Sequence, residues 1–258
     1  SLMSPAAILR LVRTMQADER LGILQSLVTG MPSASAFARP FQFGMRLGMR
    51  SFTLGSAWWQ GDCGPYWGHN ALIRLAPFIA HCELPQLPGG PPLGGWILSH
   101  DQVEAVLMRR AGYAVRVLPE EGGSWEQNPP NLLEFIRRDL RWCQGNMQYF
   151  RLLTLPGLRP VSRVQLALAI LMFLSSPAWI LFMSLGVLQV GLAFGSGQTF
   201  HPVAGPALFA VIMTMVFAPK LATLAESLAA ASRRRAFGGA PLMLVGVITE
   251  VLFATLLA

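Results

Sequence analysis

From Gln165 to Ser196 the chain carries no charged side chain, and Leu, Ile, Met and Phe dominate the run. A helix crosses a hydrocarbon core with about 20 apolar residues, so this segment is long enough to span a bilayer. Pro177 lies within it, which a lipid-embedded helix tolerates where neighbouring groups re-satisfy the freed carbonyl. A second apolar stretch, Val203 to Ala231, is interrupted by Pro219-Lys220 and Glu226, and a third starts at Pro241 and is still apolar at Ala258. Only 13% of residues are charged, against about a quarter in soluble domains, and the deficit sits in these stretches. The chain opens on Ser1-Leu2-Met3 without a signal peptide. With its last stretch apolar to the end, it reads as a fragment of a longer protein.

A net charge of +7 in a soluble protein points to nucleic acid. Here Arg151, Arg159 and Arg163 precede the first apolar run, and Arg233, Arg234 and Arg235 follow the second. The intervening Gly195–Gly205 loop has only His201. The positive-inside rule puts both basic flanks in the cytoplasm and that loop outside, where the arginines meet anionic headgroups. No basic, aromatic-interleaved face of the kind that binds nucleic acid is present. Cys63, Cys82 and Cys143 fall in the part assigned to the cytoplasm, where a disulfide framework is not expected. Cys63, His69, His81 and Cys82 make a poor zinc set, because adjacent His81 and Cys82 point badly at one ion and no C-x-x-C pair exists.

The first 130 residues read as α/β. Ser4-Pro5 caps a helix with Ile8, Leu11, Val12 and Met15 on one stripe, and Gly22–Val28 reads as a strand. Thr29–Pro40 is a loop, and Phe41–Trp59 is apolar and reads as helix. Gly61–Arg74 is a Gly-rich aromatic loop leading into a short strand, with Trp67, His69 and Asn70 offering the flat ring and polar groups a sugar needs. Trp96-Ile97-Leu98 reads as a buried strand with Ser99-His100-Asp101 at its carboxyl end, where ligands collect in open α/β sheets. Ser99 or Asp101 can also simply cap the helix that follows. Ala114–Leu118 is a further strand. After Asn128-Pro129-Pro130-Asn131, a helix runs from Leu132 to Arg151, apolar on one face and rich in arginine. Such a helix suits the lipid interface; Arg141 also suits a diphosphate, and Trp142 a sugar face.

In order, a G-H-N loop, an S-x-D triplet, R-x-x-R-W on a helix and membrane spans resemble the processive membrane glycosyltransferases of family 2, which include cellulose and hyaluronan synthases. Tyr66–Arg74, Ile97–Asp101 and Arg141–Asn146 look closest to the branch that makes the β-1,2-linked glucose backbone of osmoregulated periplasmic glucans. The resemblance implies the C-terminal part of a GT-A-like nucleotide-sugar transferase domain (1–130), an interfacial helix and linker (131–163) and a transmembrane region (164–258). It implies UDP-glucose and a glucan acceptor as substrates, and a bacterial inner membrane with the catalytic part in the cytoplasm. Asp101 matches the family's catalytic base. Arg141 and Trp142 match the segment over nucleotide and acceptor, and His69, Asn70 and His100 fall on the substrate side. Arg138 stands where the broader family has Gln. The family's D-x-D motif, which binds UDP with Mg2+ or Mn2+, is expected upstream of Ser1 together with the uridine-binding strands. Asp18-Glu19 is no substitute, since it ends a helix and lacks the intervening residue. The chain alone is therefore expected to hold no metal and to be inactive.

A synthase of another β-glycan shares every motif class and differs only in product. A non-enzymatic multi-pass membrane protein is disfavoured, since Lys220 and Glu226 are few for an ion path.

Overall fold

The computed structural model describes residues 1–196 and 203–257, so the expected outer loop Gly195–Gly205 and the final Ala258 lie largely outside the described residues. Two compact units form: one from Ser1–Leu171 with Gly246–Leu257, the other from Met172–Val245.

The first unit is built round a short strand. In α1 (Pro5–Ala17) the Ser4 hydroxyl accepts from the Ala7 amide at 3.2 Å and Pro5 occupies the first turn, as its missing N–H allows. Ala7, Leu11 and Met15 are its buried stripe. Ile8, expected on that stripe, is 44% exposed. Strand β2 (Leu21–Ser26) is buried along its whole length, the sign of a central strand covered on both faces. It follows β1 (Leu2–Met3), a two-residue strand that no local signal in the sequence marks. Within the expected loop lie β3 (Thr29–Gly30) and the start of α2 (Ala38–Gln60). Strand β4 (Ala71–Ile73) pairs antiparallel with β2, and β5 (Ala114–Leu118) pairs parallel on its other side. A smaller sheet has the order β1-β6-β3, with β6 at Ser124–Glu126. Helix α3 (Leu75–His81) was also not anticipated.

Helix α4 (His100–Arg110) leads into β5 and packs Val103, Val106 and Met108 against Ile23 and Val115. Gly22 is required at this contact, since a Cβ there would stand 2.6 Å from Met108 Cγ. Arg109 is buried on the same helix. It donates to the Cys63 carbonyl at 2.9 Å and to Gln165 Oε1, while Gln165 Nε2 donates to the same carbonyl at 2.6 Å. Burial pushes this guanidinium down to about 10. An isolated buried charge is costly, and these carbonyl and amide oxygens are what hold it.

Trp96–Leu98 is not a strand; it is loop that runs directly into α4. The reason is a side chain that takes the place of a neighbouring strand. The Leu98 amide donates to Gln148 Oε1 at 3.0 Å, and Gln148 Nε2 donates to the carbonyls of Gly94 and Trp96 at 3.2 and 2.9 Å. Asp101 accordingly lies in the first turn of a helix, not at a strand end. Ser99 occupies the cap position without a side-chain capping bond.

Helix α5 (Leu132–Gln148) is capped by Asn131, whose Oδ1 accepts from the Glu134 amide at 2.9 Å, and ends in a 3-10 turn, Tyr149–Arg151. Leu132, Leu133, Ile136 and Leu140 are exposed along it. Helices α6 (Pro160–Ser196), α7 (Ala204–Ala229) and α9 (Ala240–Leu257) are long and apolar enough to cross a membrane; the short α8 (Ala231–Ala236) carries Arg233–Arg235. Pro177 and Pro219 sit inside unbroken helices.

Candidate active site

The Trp67–Asn70 loop is held by a residue from the middle of the central sheet. Gln25, fully buried in β2, donates through Nε2 to the carbonyls of His69 (3.0 Å) and Asn70 (3.2 Å) and accepts from the Trp67 amide through Oε1 (3.0 Å). Asn70 has φ +50°, left-handed backbone that asparagine adopts more readily than most residues. Its amide nitrogen donates to Ser124 Oγ at 2.8 Å, and its carbonyl accepts from Ser26 Oγ at 2.6 Å. The side chain proposed to meet substrate is thus also a stitch between the two sheets. His69 Nε2 lies 3.4 Å from Glu126 Oε2 on β6.

This loop rests against Asp101. A Cβ added at Gly68, where φ is +77°, would stand 3.3 Å from Asp101 Cβ and 3.7 Å from Oδ2. The Asp101 carboxylate is half-buried and makes no ion pair among the described residues. Burial raises its pKa above the ordinary carboxylate value, opposed by hydrogen bonds from the helix-start amides and by the charges of His100 and His69. His100 points instead to Glu104, with Nδ1 3.0 Å from Oε1. Desolvation also raises Glu104, and desolvation, with the charges of Glu104 and Asp101, pushes Tyr66 up to about 12.

The end of α5 fixes where Asp101 sits. Tyr149, fully buried, donates its hydroxyl to the Ser99 carbonyl at 2.8 Å, and Gln148 holds the preceding loop. Gly145 allows the helix to approach: a Cβ there would be 2.7 Å from the Ser99 amide nitrogen and 2.8 Å from its Cβ. Gly145→Ala is therefore expected to push the Ser99–Asp101 turn away, lowering transfer while the helix itself, which favours Ala by about 1 kcal/mol, stays formed. Wild-type turnover by this variant would show that the approach is slack.

Arg138 is three and four residues before Arg141 and Trp142, and Gly145 is four and three residues after them, the spacings that share a helix face. Since Gly145 abuts Ser99, the R-x-x-R-W face is continuous with the Asp101 turn. Arg138 stacks over the Trp142 ring at 4.6 Å and donates to Asn128 Oδ1 at 3.2 Å. Its Nε is buried without a partner, and burial lowers its pKa. Arg141 is exposed, and Trp142 is 39% exposed. The structure thus joins Gly68, His69, His100 and Asp101 in one place, with the Arg-Trp face adjoining. Among the described residues no hydrogen bond or ion pair joins Arg141 or Trp142 to Asp101.

Gln25, Glu126, Gly145, Gln148 and Tyr149 were not singled out from sequence. A lone Gln in the apolar strand Leu21–Ser26 and a Gly inside a helical pattern were the available signals.

For a divalent cation the described residues do not fit. No three His, Cys, Asp or Glu side chains gather as a ligand set among them. Asp18 and Asp62 are committed to Arg116, at 3.0 and 2.6 Å. Cys63 and Cys82 are buried, and desolvation pushes the Cys82 thiol up to about 11, far from a metal-binding thiolate.

A mixed α/β domain with this acidic turn and Arg-Trp helix, followed by apolar helices, is the arrangement of a family 2 transferase. The chain belongs to glycosyl transferase family group 2, whose family model matches residues 1–221. It is 39% identical, over 272 aligned positions, to the Glucans biosynthesis glucosyltransferase H of Dickeya dadantii (strain 3937), covering 100% of this chain and 32% of the relative. The like-named proteins of Cupriavidus pinatubonensis (strain JMP 134 / LMG 1197) and Pseudomonas aeruginosa (strain LESB58) are also 39% identical, with 100% of this chain and 31% of each relative covered. The chain thus spans about a third of the length of the curated relatives it matches. The family expected from the three sequence segments is the family found.

Proposed function

We propose that this chain is the acceptor side and membrane exit of a glucosyltransferase that extends a β-1,2-linked glucan from UDP-glucose. The observation that carries the reading is the half-buried Asp101, which makes no ion pair among the described residues, lies beside Gly68 and is adjoined by the Arg-Trp helix. A carboxylate so placed acts as a general base. It takes the proton of the acceptor hydroxyl as that oxygen bonds to the anomeric carbon of glucose. The bond from that carbon to the diphosphate oxygen breaks, and UDP leaves with the electron pair. A single displacement inverts the anomeric centre and needs no second carboxylate as nucleophile.

In this reading Arg141 meets the diphosphate with paired N–H donors, and Trp142 offers a ring face to the acceptor sugar. Arg138 orients that ring by stacking on it, and His69, Asn70 and His100 line the acceptor side. Residues 131–163 form an interfacial segment whose exposed leucines face lipid. The apolar helices anchor the enzyme in a bacterial inner membrane with Asp101 on the cytoplasmic side. Mg2+ or Mn2+ accompanies the nucleotide, at ligands other than the described residues.

The test is product analysis. Membranes holding the full-length protein are given UDP-glucose and magnesium, and the linkage of the polymer is determined. A β-1,2-glucan is expected. Another β-linkage would move the reading to a different synthase of the same family, and no glycan from any nucleotide sugar would sink it.

A further inference from the structure

Helix α2 is turned inside out. A helix on a water-facing domain points its apolar stripe inward and its polar face outward. Helix α2 buries Gln42, Thr53 and Ser56 along with Ala38 and Leu47. The Gln42 amide, the Thr53 hydroxyl and Gln60 Oε1 are buried there without hydrogen-bond partners. Facing outward in its second half are Phe52, Leu54, Trp58 and Trp59, with Trp58 88% exposed. No Asp or Glu occurs anywhere in the helix. Arg39, Arg46 and Arg50 recur on one stripe, at spacings of seven and four.

What covers this face is indicated by what covers its first half. The rings of Phe37 and Phe41 meet Phe253 of α9 at 5.2 and 5.3 Å, and Phe43 lies against Gly246. Helix α9 is one of the three apolar enough to cross a membrane. Followed by helical steps, the face that meets α9 runs through Phe41, Gly44 and Gly48 to Gly55 and Trp59. The contacts run antiparallel, so α2 leads away from the middle of the apolar helix as its own aromatic end is reached. Trp concentrates at the boundary between hydrocarbon and headgroups, and a basic stripe is drawn to anionic lipid.

We propose that the second half of α2 lies on the bilayer: Phe52, Leu54, Trp58 and Trp59 seat in the headgroup boundary of an anionic leaflet, flanked by the arginine stripe. This contact is distinct from that of α5 and has a consequence for chemistry. The Phe52 ring lies 6.3 Å from that of Trp67 in the acceptor loop. Lipid under α2 would hold the loop, and Asp101 beneath Gly68, at the membrane surface, where a growing chain enters the spans.

The test is a nitroxide on Trp58→Cys in the full-length protein, in a Cys143→Ser background, because Cys63 and Cys82 are buried. The protein is placed in phosphatidylcholine vesicles with phosphatidylglycerol. Collisions with oxygen, which enters lipid, are compared with those of a water-soluble nickel chelate. Leu181→Cys in α6 serves as the lipid reference, and Glu83→Cys, at an exposed site, as the water reference. The oxygen-to-nickel ratio at position 58 is expected to stand several-fold above that at 83 and toward that at 181. A ratio equal to that at 83 puts the face in water and overturns the proposal. A label closed to both reagents means that protein covers the face, and overturns it too. If the label at 181 collides with nickel as freely as that at 83, the membrane reading of the chain fails, and the α2 contact with it.

Discussion

Exchange of Asp101 for asparagine is expected to lower glucosyl transfer at least ~10²-fold, the usual size of a general-base contribution, while UDP still binds. Asparagine keeps the shape and can still accept the helix-start amides, but it cannot take a proton. The loss therefore belongs in kcat, with little change in the affinity for UDP measured by titration. The pH profile carries the sign of the same argument. The base works ionised, and burial raises Asp101 above the ordinary carboxylate value. As pH falls, the wild-type kcat/KM is thus expected to decline from a higher pH than an exposed aspartate would require. That acid limb should vanish from the residual activity of Asp101→Asn. Transfer at wild-type rates by the mutant would remove Asp101 from the mechanism.

Gln148→Leu is expected to damage both stability and rate, although this side chain touches no substrate. It makes three hydrogen bonds to the backbone of the loop before Asp101, and it is fully buried. Leucine fills much of the same volume but leaves the Leu98 amide and the Gly94 and Trp96 carbonyls without partners. A stranded buried group costs about 1–3 kcal/mol, and partial relaxation of the loop toward water brings the expected total to about 2–4 kcal/mol. The measurements are the unfolding transition and kcat at saturating UDP-glucose. Gln148→Glu, which sets a buried carboxylate oxygen against the Gly94 and Trp96 carbonyls in place of a donor, should be at least as damaging as leucine. A Gln148→Leu protein with unchanged melting and unchanged kcat would show that the loop is held by other means.

Legibility followed the range of the interactions. Local signals carried α1, with Ser4 and Pro5 at its start, and α5, with Asn131 at its cap; both are decided within one turn of chain. The strands β2, β4 and β5 were readable from short apolar runs. The two-residue strands β1 and β3 were not, because nothing in Leu2-Met3 or Thr29-Gly30 states which partner will supply the hydrogen bonds. Trp96–Leu98 failed for a related reason. Its composition suits a strand, but the groups that satisfy its backbone come from Gln148, fifty positions along the chain.

The sequence by itself determined that three helices are apolar enough for lipid, that an acidic turn and an Arg-Trp helix stand in that order, and so which family the chain joins. Those are properties of composition and order, and they survive any arrangement of the parts. Only the tertiary structure decided that Asp101 begins a helix, that Gly68 lies beside it and that the R-x-x-R-W face continues to it through Gly145. It alone showed that the second half of α2 presents Phe52, Leu54, Trp58 and Trp59 outward. Each of these depends on contacts between segments far apart in the chain, where geometry sets the outcome: a missing Cβ, a buried amide, a face left uncovered.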